Sequence, residues 1–211
     1  NAFDVVGIEN KENLVIKDGQ YSIYKQYSYP ILINNTKDLS ISGGTYDVST
    51  DSVLLSNSSK ENITIDNIKT INIGTVITNY ANNEIKLTNS NISGNVSNNG
   101  SGILTLENVT TSNGVSNNNT GVLNINNVIF SSSDNVTYSS ITTSQAGTTN
   151  INGATITNGY IENGNSHTIN INDINIVYNS TYRSGTITNY GIVNLISGTA
   201  TSTVGNSITN T

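Results

Sequence analysis

Of the side chains able to do more than hydrogen-bond, one late group in this chain of 211 residues combines aromatic, acidic and basic types: Tyr138, Tyr160, Glu162, His167, Tyr178, Tyr182 and Arg183. They include its one His and its one Arg. Tyrosine rings and a guanidinium suit stacking on sugar rings and hydrogen bonding to their hydroxyls. Hydrolysis of a glycosidic bond asks instead for two carboxyl groups within about 10 Å of each other, and Ca2+ asks for several oxygens including acids. Glu162 by itself supplies neither. His167, in "GNSHTIN", has no Asp, Cys or Ser in register to make it a base, so it reads as a solvent-facing turn residue. The expected ligand-binding set is therefore Tyr138, Tyr160, Glu162, Tyr178, Tyr182 and Arg183, with no catalytic residue, no metal and no cofactor.

The elements that must position this set follow from composition and repetition. Charged residues make up 10% of the chain, Pro occurs once, and Cys, Met and Trp are absent. Asn, Ser, Thr, Ile, Val and Gly supply most of the rest, a mixture that favours strands and turns. The apolar 34% is largely β-branched and regularly spaced, so a core is expected. A net charge of -6 leaves no basic stripe for nucleic acid or an anionic membrane surface. No apolar run is long enough to span a bilayer. All basic residues but Arg183 lie at or before Lys86, which leaves a later half of amides and hydroxyls.

An apolar-x-apolar anchor recurs at Leu14/Ile16, Leu39/Ile41, Ile63/Ile65, Ile85/Leu87, Leu104/Leu106, Leu123/Ile125, Thr149/Ile151, Ile169/Ile171 and Val193/Leu195. Two residues after each anchor stand Asp18, Gly43, Asn67, Asn89, Asn108, Asn127, Gly153, Asp173 and Ser197. Eight of these nine are Gly, Asn or Asp, types that enter the left-handed region cheaply, so each unit bends there. Period two then resumes, as in Val109/Thr111 and Val128/Phe130. A third strand ends most units with apolar-x-Asn, from Ile33–Asn35 to Ile208–Asn210, and Ile141 to Thr143 departs from it. Three short strands per turn, with bends at constant places, predict an all-β parallel β-helix of nine rungs stabilised by ladders of Asn at the corners.

This arrangement resembles the right-handed, pectate-lyase-like β-helix superfamily, in which a short bend carrying an Asn ladder joins the second and third strands. On that match the anchors are second strands, Val109/Thr111 and its equivalents third strands, and apolar-x-Asn the first. The "ITNxG" phrasing resembles the repeat regions of bacterial surface adhesins. Enzymes of the superfamily place acids, often with Ca2+, on the outer face of the first-strand sheet. Here that face reads Asn34, Ser56, Thr78, Ser97, Ser116, Thr142, Glu162, Thr188 and Thr209, and the paired Asp and Gly-His-Gly of polygalacturonase-like members are missing. The second-strand outer face reads Ser40, Thr64, Lys86, Thr105, Asn124, Asn150, Asn170 and Asn194. That is no regular Thr array for ice, and its Asn run is expected to form amide ladders along the sheet.

Residues 1–13 read as an N-terminal cap and 14–211 as the β-helix, continuing beyond 211. Variable loops on a constant scaffold are where function tends to sit. Long connections surround Tyr24, Tyr27 and Tyr29 and run over 131–140 and 177–186. Between the last two, the short Thr157–Tyr160 connection should leave a notch with Tyr160 and Glu162 on its floor and Tyr138, Tyr178, Tyr182 and Arg183 on its walls. The plainer alternative is that these tyrosines cover the sheet edge. The implied protein is a non-catalytic adhesion domain at the extracellular surface of a bacterium, meeting a host or bacterial surface glycan or protein as a monomer or with weak end-to-end self-association. A rigid stalk and a polysaccharide-degrading enzyme are the alternatives.

Overall fold

A computed structural model describes residues 3–4, 8–10, 14–17, 19–22, 31–35, 37–47, 52–131, 139–178, 186–202 and 208–210. All regular elements among them are strands, and every strand pairing is parallel. The chain coils as a parallel β-solenoid. Each strand pairs with its equivalent one repeat earlier and one repeat later. Ile85↔Leu104 and Leu87↔Leu106 in the second-strand stack are typical, and so are Ile161↔Ile187 and Asn163↔Asn189 in the first-strand stack.

The anchors are the core. Leu39/Ile41, Ile63/Ile65, Ile85/Leu87, Leu104/Leu106, Leu123/Ile125, Thr149/Ile151 and Ile169/Ile171 are all buried. They face Leu55, Ile77, Val96, Val115, Ile141, Ile161 and Ile187 from the first strands, and Val109, Val128, Phe130, Ile156 and Ile176 from the third. Each such aliphatic side chain contributes about 1.5–3 kcal/mol when fully buried. The closed solenoid thus has about seven turns, not nine. The Leu14 and Val193 anchors also pair in the stack, but Ile16 and Val193 are only partly buried and Leu195 is 48% exposed. Among the described residues each of these outer anchors pairs with an anchor on one side only.

The bends fall where the residue types place them. Gly43, Asn67, Asn89, Asn108, Asn127, Gly153 and Asp173 all have φ between 50° and 79°. Ser197 is a correction: the left-handed residue of that turn is Gly198, at φ 132°. Asp18 lies outside the described residues.

Strand number per turn differs from the expectation in part of the molecule. Glu84–Thr88 and Asn91–Ile92 are separate strands, but Val122–Ser131, Thr148–Thr157 and Thr168–Tyr178 run unbroken through the bend. Second and third strands therefore merge into one 16-stranded sheet beside the 10-stranded first-strand sheet. In those three turns the pairing skips a single left-handed residue and resumes at once, as in Asn126↔Asn152 followed by Val128↔Ala154.

Within the expected cap, Phe3–Asp4 pairs with Gln20–Ser22, and Ile8–Asn10 with Ile31–Asn35. These strands extend the third- and first-strand ladders. The remainder of 1–13 lies outside the described residues. Near this end the third-strand core holds two aromatic rings, Tyr21 stacked on Tyr46 with centroids 4.8 Å apart.

Candidate functional site

Of the expected ligand-binding residues the structure describes Tyr160, Glu162 and Tyr178. Tyr138, Tyr182 and Arg183 lie outside the described residues, as do Tyr24, Tyr27 and Tyr29. Tyr160 and Glu162 share the strand Tyr160–Asn163, yet Tyr160 is 6% exposed. Tyr178 ends the strand Thr168–Tyr178 and is 0% exposed. Neither ring faces an open notch, and both belong to the packed wall. Glu162 does lie on the outer face, partly exposed, in register between Thr142 and Thr188.

Two local rules explain the corrected tyrosines. Tyr160 immediately precedes the inward Ile161, and the residues in the same place are also buried in four other turns, Leu54, Val76, Ser140 and Thr186, whereas Asn95 is exposed and Gly114 partly buried. In those five turns the corner between third and first strands takes two consecutive buried residues, so strict alternation fails there. The apolar Leu54 and Val76 were the signal. Tyr178 follows Ile174 and Ile176 at period two, and that phase is the inward one.

His167 is a second correction. It is 0% exposed, not solvent-facing. Its Nδ1 lies 3.1 Å from the Gln145 carbonyl oxygen and its Nε2 3.0 Å from Thr149 Oγ1. A carbonyl can only accept, so Nδ1 carries the proton and Nε2 accepts from the Thr149 hydroxyl. Burial holds the imidazole below its ordinary pKa. The ring lies over Gly147, where a Cβ would come within 2.9 Å of His167 Cε1 and crowd the Asn119 and Gly121 carbonyls. Counting four residues on from the corner reaches Asn83, Gly102, Gly121, Gly147 and His167, an interior position. A polar anchor, Thr149, in an otherwise apolar column was the signal that something polar sat above it. Enclosed in this way, His167 cannot reach a substrate.

Side-chain ladders run along the stack, one at a buried corner and one on the outer face of the second strands. At the corner after the first strand, Asn35 donates to Asn57, Asn57 to Asn79, Asn79 to Asn98 and Asn98 to Asn117, over 2.9–3.2 Å. Thr143 interrupts this ladder. Asn117 donates instead to the Gly121 and Thr148 carbonyls, and the Thr143 hydroxyl donates to Asn163 at 2.7 Å. Above it Asn163, Asn189 and Asn210 resume at 2.7 Å per step.

On the second-strand outer face, Asn194 donates to Asn170, Asn170 to Asn150, Asn150 to Asn124 and Asn124 to Thr105, over 2.8–3.3 Å. The amide run expected on this face is present. Beside it Asn172 donates to Asn152 at 2.9 Å.

Charges lie lower on the molecule. Lys86 Nζ meets Glu107 at 2.7 Å, and that contact raises the Lys86 pKa. The carboxylate of Asp66 accepts from Thr88 at 2.6 Å and Asn89 at 2.8 Å, which lowers its pKa. Among the described residues no group of three or more His, Cys, Asp and Glu is placed to hold a metal ion, and no helix is long and apolar enough to cross a membrane.

Comparison with protein-family models, curated proteins and solved structures finds no match to this chain, so what stands is the parallel β-solenoid and its repeat.

Proposed function

We propose that this chain is a non-catalytic attachment domain of a bacterial surface protein, working outside the cell and contacting a host or neighbouring-cell glycan or protein. The observation that carries the reading is the surface built on the solenoid. Successive turns repeat Asn, Ser and Thr in register on their outer faces, and in the sequence the repeat lengthens over 131–140 and 177–186. A stiff scaffold with a nearly uncharged polar skin suits many short-range contacts and gives little long-range steering.

Two further features support it. The outer column of the first-strand sheet, Asn34 through Thr209, is in register and carries one carboxylate, Glu162, where the glycosidase mechanism calls for two. His167, the one imidazole, is buried against Gln145, Gly147 and Thr149 of the turn below.

The test is binding of the purified chain to host epithelial cells and to a glycan array. Attachment predicts retention on at least one of them, and a tenfold or greater loss when Tyr138, Tyr182 and Arg183 are replaced together by Ala with the melting midpoint unchanged. A chain that binds neither cells, glycans nor surface protein is a spacer, and the attachment reading falls.

A further inference from the structure

Among the described residues the most regular polar surface lies on the second-strand sheet. From Asn124 to Asn194 the second-strand outer face presents four amides in one column; the upper three each donate one N–H to the amide oxygen a turn below, and Asn124 donates to the Thr105 hydroxyl. Asn152 and Asn172 continue the pattern in an adjacent column, two residues along the same strands. An amide has two N–H groups and a carbonyl oxygen with two lone pairs. The ladder uses one donor and one acceptor of each interior member, so the other donor and lone pair are left for the solvent side.

The result is a grid. Turns repeat at about 4.8 Å, and alternate residues on one strand lie about 6.6 Å apart, so outward N–H and C=O groups recur on a regular lattice. Lys86 and Glu107 lie below it and Asp173 at its edge. Within the two columns every side chain from Asn124 to Asn194 is uncharged. The third column of the face, Val122, Thr148, Thr168 and Ile192, adds aliphatic and hydroxyl groups in the same register.

We infer that this face binds an extended, uncharged polysaccharide lying along the solenoid axis. An uncharged ligand matches an uncharged surface, and an acidic polymer would approach a chain of net charge -6 whose cation in this column, Lys86, lies two turns below Asn124 and is paired with Glu107. A polymer of hydroxyl-bearing rings repeats at a spacing close to one turn, so one chain can place a hydroxyl at each rung, and the aliphatic flank offers contact to ring C–H faces. Each such hydrogen bond contributes little by itself in water, so affinity must grow with the number of turns engaged. The inference rests on the attachment reading for taking a glycan as ligand, and places the contact on the sheet, away from Tyr138, Tyr182 and Arg183.

The experiment is retention of the full chain on cellulose, chitin and mannan, with polygalacturonate as the acidic counterpart. Soluble oligosaccharides of increasing length compete in the same assay. Expected are retention on a neutral polymer, competition that strengthens with oligosaccharide length, and a loss of tenfold or more in Asn152→Arg and in Asn172→Arg. Both positions are exposed. The control Ser116→Arg, on the first-strand sheet, should bind as the parent does.

Failure on every neutral polymer while cells are still bound overturns the inference and leaves attachment standing. The same holds if the Tyr138, Tyr182 and Arg183 triple variant loses polysaccharide binding while Asn152→Arg and Asn172→Arg keep it. Sedimentation showing that the face pairs two copies of the chain also overturns it. Loss of all binding, to cells and polymers alike, sinks both readings.

Discussion

The turns from Leu39 to Leu106 and those from Leu123 to Ile171 share one coil but are held together differently. In the lower group second and third strands are separate, every anchor is aliphatic, and the corner ladder runs unbroken from Asn35 to Asn117. Ionic contacts, Lys86 with Glu107 and Asp66 with its two donors, lie on its surface. In the upper group strands of 10 and 11 residues run through the bend, the ladder breaks at Thr143, and the core admits Thr149 and His167. Amide ladders replace charge outside. Aliphatic anchors stabilise by burial and need no particular partner a turn away. Where a polar pair enters the core, each member needs the other, because a buried donor or acceptor left alone costs about 1–3 kcal/mol.

The largest effect expected from breaking this contrast is at the lower ladder. Asn98→Ala removes the bonds to Asn79, Asn117 and the Gly102 carbonyl in a buried corner. It should destabilise by about 3 kcal/mol, read from urea unfolding, because partners on both sides lose a bond. A cost below about 1 kcal/mol would show that the ladder follows from the stack and does not hold it.

Next comes the upper core. Thr149→Ile restores an aliphatic anchor but leaves His167 Nε2 without its donor, and should cost about 1–3 kcal/mol. His167→Gly by itself opens a cavity under the corner. The pair together recreates the lower rule, an aliphatic anchor beside a Gly like Gly102 or Gly121. A double-mutant cycle should then show coupling of about 1 kcal/mol or more in favour of the pair. Additive losses would refute the pairing.

Acid separates the halves a third way. His167 has a lowered folded pKa, from burial, so above the unfolded value of 6.5 both states are neutral and pH does not matter. As pH falls below that value the unfolded chain takes up a proton that the folded chain refuses. Stability then drops by up to about 1.4 kcal/mol per pH unit until the folded group also titrates. The loss between pH 6.5 and the folded pKa should vanish in the His167→Gly, Thr149→Ile double variant. Asp66 contributes in the lower half with the opposite partner: its depressed folded pKa gives stability above 3.8 that is lost at still lower pH. Thr88→Ala should remove that component.

The smallest change is expected at Lys86. Lys86→Ala breaks an ion pair whose side chains are 44% and 40% exposed. Solvent and salt screen such a pair, so the melting midpoint should hardly move.

Much of this was legible beforehand. The anchor spacing and the Gly, Asn or Asp two residues on place seven left-handed bends, and apolar-x-Asn places the corner ladder with its break at Thr143. Both depend on local rules that a short window contains: which residues tolerate positive φ, and which face a side chain takes at period two. Tyr160 and Tyr178 flank connections between strands, where an aromatic side chain reads as surface, yet both are buried. Their phase relative to Ile161 and Ile176 carried the opposite message.

The sequence by itself determined that the chain coils, where it bends and which amides stack, since each of those follows from residue type and a repeat of about one turn. The tertiary structure decided how many turns close, that one bend residue lets two strands become one, and that His167 turns inward onto Thr149. Those outcomes depend on what lies one turn above or below, 18 to 26 residues away in the chain, and no local window spans that distance.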